Sequence, residues 1–313
     1  MRKLPKIIVI AGPTATGKTD LGIKIAKKFN GEVISADSRQ IYRGMDIGTG
    51  KPKISDFRFQ ISEVDGIKHH LISIVDPDEE FTVALWKQEA IAAIKNILTR
   101  NKLPIIVGGT GLYIKSLVEN LDIPQVPPDF ALRKKLELRI KKQGLKVLYK
   151  ELLKLDPGAK GVVDQRNSRR VIRALEVCLI TGKPFSSLQK QGEPMFEVLE
   201  LGIDVPREKL YKRIDRRVLE MYKEGLLKET KKFLKRYSPH IPAMSGIGYK
   251  EAGEHLAGKI SLEEAIVKTQ LRTHAYARRQ LIWFRKDKKI KWIKTQEQAE
   301  KLVEICLLAL NVL

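Results

Sequence analysis

Cysteine is almost missing from this chain. Two occur in 313 residues, Cys178 and Cys306, far apart and outside any Cys-x-x-Cys spacing. That excludes a disulfide-stapled scaffold and a clustered-thiolate metal site. Both sit in apolar helical patterns and read as reduced core residues. No apolar run approaches the roughly 20 residues that span a bilayer, so no membrane partner is expected. Met1-Arg2-Lys3-Leu4-Pro5 runs straight into a strand, which is expected to leave no room for a signal peptide. Internal repeats and low-complexity tracts are absent as well. A cytoplasmic enzyme with a sizeable core fits what remains: 43% hydrophobic and 31% charged residues.

Acidic residues are also short. Lys and Arg total 59 against 37 Asp and Glu, a balance of +22. Such an excess is the electrostatic footprint of a nucleic-acid binder. It is clustered: Lys268, Arg272, Arg278, Arg279, Arg285, Lys286, Lys288, Lys289, Lys291 and Lys294 are opposed within their own stretch only by Asp287.

What is present is led by Gly12-Pro13-Thr14-Ala15-Thr16-Gly17-Lys18-Thr19, a complete Gly-x-x-x-x-Gly-Lys-Ser/Thr loop. Ile7-Ile8-Val9-Ile10 before it reads as a buried strand. Residues 21–29 after it place Leu21, Ile25, Ala26 and Phe29 at helical spacing. Strand, loop and helix make an anion trap: backbone N–H groups and a helix N-terminus face a phosphate, Lys18 adds charge, and the Thr19 hydroxyl can hold Mg²⁺.

Further strands are expected at 32–35, 71–75 and 103–107, with a helix at 82–100 between the last two. This alternation predicts an α/β fold with a P-loop NTPase-like parallel sheet, its ligands at the carboxyl ends of the strands. The P-loop, Asp37 and Thr110 all stand at such ends. Val126-Pro127-Pro128 marks a change to helices, at 130–142, 145–155 and 168–181. The expected organisation is a first part of the core over 1–122, a helical insertion over 123–198, and core completion with basic C-terminal helices over 199–313.

A nucleotide-hydrolysing P-loop protein usually carries an apolar strand ending in Asp. Strand 103–107 instead ends in Gly108-Gly109-Thr110-Gly111. Asp37 is the only acid at a strand end beside the P-loop helix. It can share Mg²⁺ with Thr19, or act as a general base. It can equally be a helix cap, as Asp and Ser often are. The residues alone leave both readings open.

Asp37-Ser38-Arg39-Gln40-Ile41-Tyr42 and Met45-Asp46-Ile47-Gly48-Thr49-Gly50-Lys51-Pro52 resemble the signature of the tRNA dimethylallyltransferase (tRNA isopentenyltransferase) family. So do the P-loop itself, His69-His70-Leu71, Gly108-Gly109-Thr110-Gly111-Leu112-Tyr113, the pair Arg170 and Arg173, the pair Arg213 and Arg217, Gly246-Ile247-Gly248-Tyr249-Lys250-Glu251, and residues 273–285. These blocks span nearly the whole chain in family order.

The resemblance implies transfer of a dimethylallyl group from its diphosphate to the exocyclic amine of the adenosine just 3′ of the anticodon. Gly12 to Thr19, with Arg213 and Arg217, would hold the diphosphate as a leaving group, Mg²⁺ being the cofactor. Lys18, Thr19 and Arg217 would stabilise charge on it. Asp37 would take the amine proton, with Thr110 beside the base. Ser38, Arg39 and Gln40 would meet the tRNA, and Arg169, Arg170, Arg173, Arg278, Arg279 and Arg285 would hold the anticodon stem-loop. Read without the resemblance, Arg213 and Arg217 fit solvated pairing with Asp215 or Glu220, and the insertion arginines fit a solvated helix face. His69 and His70 read as strand hydrogen-bonding groups, and Trp283 and Phe284 as core. A monomer is expected. An adenylate isopentenyltransferase acting on free nucleotide, a P-loop small-molecule kinase and a P-loop RNA-binding protein are the alternatives.

Overall fold

Every residue of strand β1 (Lys6–Ala11) is buried, and its side chains alternate between two cores. Ile7, Val9 and Ala11 face one, Ile8 and Ile10 the other. A β-branched run covered on both faces is what a central parallel strand requires. The computed structural model describes residues 4–58, 61–124, 126–188 and 191–308. Met1, Arg2 and Lys3 of the N-terminal reading, residues 125, 189 and 190 of the expected insertion and the last five residues lie outside them.

Eight strands among the described residues form one sheet. Besides β1 they are β2 (Gly31–Ala36), β3 (Asp56–Arg58), β4 (Ile61–Val64), β5 (Ile67–His70), β6 (Leu103–Gly108), β7 (Glu197–Ile203) and β8 (Lys291–Ile293). Their order is β3-β4-β5-β2-β6-β1-β7-β8. The six from β5 to β8 run parallel, while β3 and β4 add an antiparallel edge that periodicity did not reveal. Helices α1 (Lys18–Lys28) and α2 (Val83–Thr99) cover opposite faces. Trp86 on α2 is fully buried, donates its indole N–H to Ser35 O (2.9 Å) and stacks on Tyr113 of α3 (Gly111–Val118).

The strand expected at 71–75 lies instead at Ile67–His70. Leu71 and Ser73 take positive φ (61° and 55°), which breaks extended pairing. The segment bonds to a turn instead: Ser73 N–H donates to Gln40 O, and the Ile74 and Val75 N–H groups to Ile41 O.

The chain divides into two units, Met1–Val118 with Met195–Leu313, and Glu119–Pro194. The expected insertion limits of 123 and 198 shift accordingly, because Glu197 and Val198 already pair with Lys6 and Ile7 of β1. The smaller unit holds α4 (Phe130–Gln143), α5 (Leu145–Leu155), the short α6 (Ala159–Val162) and α7 (Ser168–Thr181), packed around Leu136, Leu148, Leu152, Val171 and Leu175. Asp129 and Asn167 cap α4 and α7 by accepting backbone N–H groups, and Gly182 closes α7 in the left-handed conformation (φ 67°). The larger unit is completed by α8 (Arg207–Lys223), α9 (Leu226–Leu234), α10 (Tyr249–Leu256), α11 (Leu262–Arg285) and α12 (Gln296–Leu308). Among the described residues no helix is long and apolar enough to cross a membrane.

Candidate active site

β1 ends at Ala11 and the chain turns sharply through Gly12 (φ 141°) and Gly17 (φ 91°). Those conformations suit glycine, which has no Cβ to clash. Thr16 is buried and donates its hydroxyl to Pro13 O (2.9 Å), tying the loop to itself. Gly17 precedes α1 and offers no side chain to cap it, so the N–H groups of the first turn face outward as an anion receptor. Lys18 donates to Pro13 O (2.5 Å). Burial pushes its ammonium down to about 8; Asp37 pulls the other way, and Arg217 adds to the fall.

Asp37 follows the last residue of β2. Its Oδ1 accepts the N–H of Arg39 (2.8 Å) and of Gln40 (3.4 Å), closing a turn over 38–40 rather than a helix. Its Oδ2 makes no hydrogen bond among the described residues. Beside it, β6 pairs with β2 with Gly108 opposite Ala36. A Cβ on Gly108 would fall 2.2 Å from Ala36 O, so the close approach needs glycine. Thr110 thereby reaches the turn: its N–H donates to Ala36 O (3.0 Å) and its Oγ1 accepts the Ser38 N–H (3.0 Å). Asp37 and Thr110, far apart in sequence, stand together at neighbouring strand ends.

Arg217 enters from α8. Its Nη2 donates to Gly50 O (2.8 Å) and its Nη1 to Thr14 Oγ1 (3.4 Å). Gly50 has φ 57°, and a Cβ there would lie 1.4 Å from Arg217 Nη2. Burial lowers the guanidinium pKa, with Asp37 opposing. One turn earlier Arg213 is exposed and joins no partner among the described residues, while the solvated pairing on this helix belongs to Arg216 and Glu220 (3.5 Å).

Three side chains on one face of α11 complete the floor, and sequence reasoning assigned none of them a role there. Buried Gln280 accepts the Thr14 N–H at Oε1 (2.9 Å) and donates from Nε2 to Gly109 O (2.8 Å), joining the P-loop to the Thr110 loop. Burial first, and then Asp37, raises the Tyr276 phenol pKa, so the ring beside the carboxylate stays protonated. Trp283 lies against Gly111 and is 38% exposed, a correction to its reading as core; Phe284 is buried. The spacing 276, 280, 283 was the available signal, but only tertiary pairing shows what the face meets. Gln280→Leu would leave the part-buried Thr14 N–H and the buried Gly109 C=O unpaired. At roughly 1–3 kcal/mol for the buried carbonyl and less for the part-buried amide, denaturant unfolding should register a loss of about 1–4 kcal/mol; no change in the midpoint would mean that neither group depends on Gln280.

Arg39 is turned to Pro242 O (2.8 Å) and Ser245 Oγ (3.3 Å), and Gln40 Nε2 donates to Gly50 O (3.3 Å). Arg278 and Arg279 are exposed, Arg279 lying over the Tyr276 ring. Arg285 is exposed but pairs with Asp204 (3.5 Å). The basic run is less unopposed than its sequence suggests: Lys268 pairs with Glu254 and Arg272 with buried Glu251. In the smaller unit Arg169 and Arg170 are exposed on the first turn of α7. Arg173 instead grips buried Glu176 (2.5 Å) together with Arg133, and donates to Val126 O (2.8 Å). His70 bonds Glu32 (2.8 Å), whose carboxyl Arg100 and Lys102 help hold well below the usual range; His69 bonds Ile67 O.

An amide-lined loop with a lysine and an arginine, set against a strand-end carboxylate and hydroxyl, defines a P-loop α/β enzyme that holds a phosphate-bearing substrate beside an acceptor. Comparison with known proteins narrows the class. The model of the IPP transferase family matches residues 40–287, and that of isopentenyl transferase residues 5–61. The chain belongs to the IPP transferase family. It is 45% identical over 301 residues to the tRNA dimethylallyltransferase of Pelotomaculum thermopropionicum, covering 95% of this chain and 93% of that one. It is 46% identical to that of Acetivibrio thermocellus, covering 96% of each. Among solved structures it resembles the full-length tRNA isopentenylpyrophosphate transferase of Bacillus halodurans (TM-score 0.69, 38% identity, 97% of this chain and 96% of that one). It also resembles a eukaryotic dimethylallyltransferase captured acting on tRNA (TM-score 0.73, 32% identity, 97% of this chain and 78% of that one).

Proposed function

We propose that this chain transfers the dimethylallyl group of dimethylallyl diphosphate to the exocyclic amine of the adenosine 3′-adjacent to the anticodon in tRNA. The observation that carries this reading is the joining of an anion cradle, Gly12 to Thr19 with Arg217, to the Thr110 loop through Gln280, with Asp37 at the neighbouring strand end. The amine nitrogen bonds to C1 of the dimethylallyl group as the C1–O bond breaks. Diphosphate leaves with that electron pair, its charge met by Lys18 and Arg217. The amine proton passes to Asp37, whose free Oδ2 is the available base. Thr110 steers the acceptor, which must leave its stack to reach the strand ends.

Thr19 and Asp37 offer two hard oxygens beside the diphosphate cradle. That donor set fits Mg²⁺, which takes few protein ligands and completes its shell with water and phosphate oxygens. It would neutralise diphosphate charge. Two free cysteines fit a reducing cytoplasm, where the protein acts as a monomer. Labelled dimethylallyl diphosphate incubated with either tRNA or AMP tests the reading: label must enter tRNA. Label in AMP alone would make it an adenylate isopentenyltransferase, and ADP released from ATP in step with turnover would make it a kinase.

Ser38, Arg39 and Gln40 belong to the acceptor side. Arg169 and Arg170 on α7, and Arg278, Arg279 and Arg285 on α11, are the cations assigned to tRNA phosphates, while Arg173 pairs with Glu176 of its own helix and with Val126 O. Replacing Arg278 and Arg279 with alanine should flatten the plot of log affinity against log salt by about 0.7 for each phosphate no longer neutralised, or about 0.9 in duplex. The KM for tRNA should rise more than that for dimethylallyl diphosphate. An unchanged salt slope would remove this face of α11 from the RNA surface.

A further inference from the structure

Residues 45–51, Met-Asp-Ile-Gly-Thr-Gly-Lys, form a glycine-rich loop with two small polar residues and no apolar run long enough to hold it. Met45 is buried in the core and Lys51 anchors the far end, but the amides between them are held by one carboxylate. Glu229 of α9 accepts the N–H groups of three consecutive residues: Asp46 (3.1 Å) and Ile47 (3.0 Å) at Oε2, and Gly48 (3.2 Å) at Oε1. Tyr249 donates its hydroxyl to the same Oε1 (2.5 Å). Converging amides of this kind form an anion nest, and here the protein fills the nest with its own side chain. Gly48 is seated on the Tyr249 ring so closely that a Cβ would fall 2.4 Å from it.

The far end of the loop meets the active site. Gly50 N–H donates to Ile47 O (2.9 Å) and Lys51 N–H to Asp46 O (3.0 Å), so the amides held by Glu229 and the carbonyl of Gly50 belong to one rigid turn. Buried Lys51 pins it further, on Tyr42 O and Ser73 Oγ. That Gly50 carbonyl is the acceptor for Arg217 Nη2 and Gln40 Nε2. Glu229 touches neither the P-loop nor Asp37 among the described residues.

We propose that Glu229 is a positioning residue: by clamping the 46–48 amides it sets the Gly50 carbonyl, and through it the aim of the Arg217 guanidinium at the departing diphosphate. This rests on the prenyl-transfer reading. Preorganised charge works only if held in place, since displacing a catalytic group by about 1 Å can cost on the order of 10²-fold.

The test is a double-mutant cycle on tRNA prenylation with Glu229→Gln, Arg217→Ala and the pair. Glutamine keeps the size but points an amide at N–H donors. Glu229→Gln should lower kcat/KM for dimethylallyl diphosphate at least about tenfold, with the KM for tRNA moving far less. In the Arg217→Ala background the same change should cost less than about twofold, because its route is already cut. Multiplying effects would reduce Glu229 to a scaffold residue and overturn the proposal. Thermal unfolding of each variant separates folding from function. If Glu229→Gln does not fold, Tyr249→Phe, which removes one bond to the same carboxylate, is read by the same cycle. A wild-type protein that prenylates no tRNA sinks the function itself, and this inference with it; an active wild type with independent effects sinks only the inference.

Discussion

Asp37→Ala is expected to lower kcat for prenyl transfer by about 10² to 10⁴, the usual contribution of a positioned general base, with tRNA affinity kept within about threefold, since the change removes no cation that meets a phosphate. The amine it serves is a poor nucleophile, its lone pair delocalised into the adenine ring, and it must shed a proton as it alkylates. Asp37 also closes the 38–40 turn through the amides of Arg39 and Gln40, so alanine alone would confuse two roles. Asp37→Asn separates them. An asparagine Oδ1 still accepts both amides and preserves the turn, but the side chain cannot take a proton at neutral pH. If asparagine is as inactive as alanine while melting like the wild type, and saturating Mg²⁺ does not restore it, the carboxylate is the base. If asparagine keeps more than a tenth of the turnover, Asp37 is a turn former and the proton leaves by another path.

The parts of this site that sequence exposes are those whose chemistry is local. A P-loop needs its glycines, its lysine and its flanking strand and helix within about twenty residues, so Gly12 to Thr19 was legible together with β1 and α1. Asp37 and Thr110 were legible as strand ends meeting one base; that they are sheet neighbours follows from β2 lying beside β6. What stayed hidden depends on pairs distant in sequence. Gln280 reads as one polar residue on a basic helix until Thr14 and Gly109 are seen on its two amide atoms. The capacity of Gly50 to receive Arg217 has no periodic signature. Charge runs mislead for the same reason: Arg272 and Lys268 find their acids on α10. The β3–β4 edge escaped because strands of three and four residues carry too little alternation to stand out.

Lys18 carries the other large effect, and its signature lies in pH. Removing one preorganised donor from developing negative charge typically costs about 10² to 10³ in rate, so Lys18→Ala should lose that much in kcat/KM for dimethylallyl diphosphate. Burial holds the Lys18 ammonium near 8, down from its ordinary 10.5. The free enzyme therefore keeps this charge below pH 8 and loses it above. Wild-type kcat/KM should be level up to about pH 8 and then fall about tenfold per pH unit. In kcat the break should come later, because bound diphosphate favours the protonated form. Lys18→Arg should abolish the break, since a guanidinium does not deprotonate in this range. Stability must run the opposite way. The unfolded lysine, at 10.5, holds a proton that the folded one at 8 has released. Between those values the unfolded state binds more protons, and stability rises with pH. The penalty for burying the charge is fully present below pH 8 and relieved above it. Lys18→Met should then raise the denaturation midpoint at pH 7 and lose that advantage as pH approaches 10.5, while its kcat/KM at pH 7 stays about 10² to 10³ below that of the wild type. Profiles of kcat/KM that are superimposable in wild type and Lys18→Arg would show that the titrating group is not Lys18, and would detach the pH dependence of leaving-group stabilisation from the P-loop.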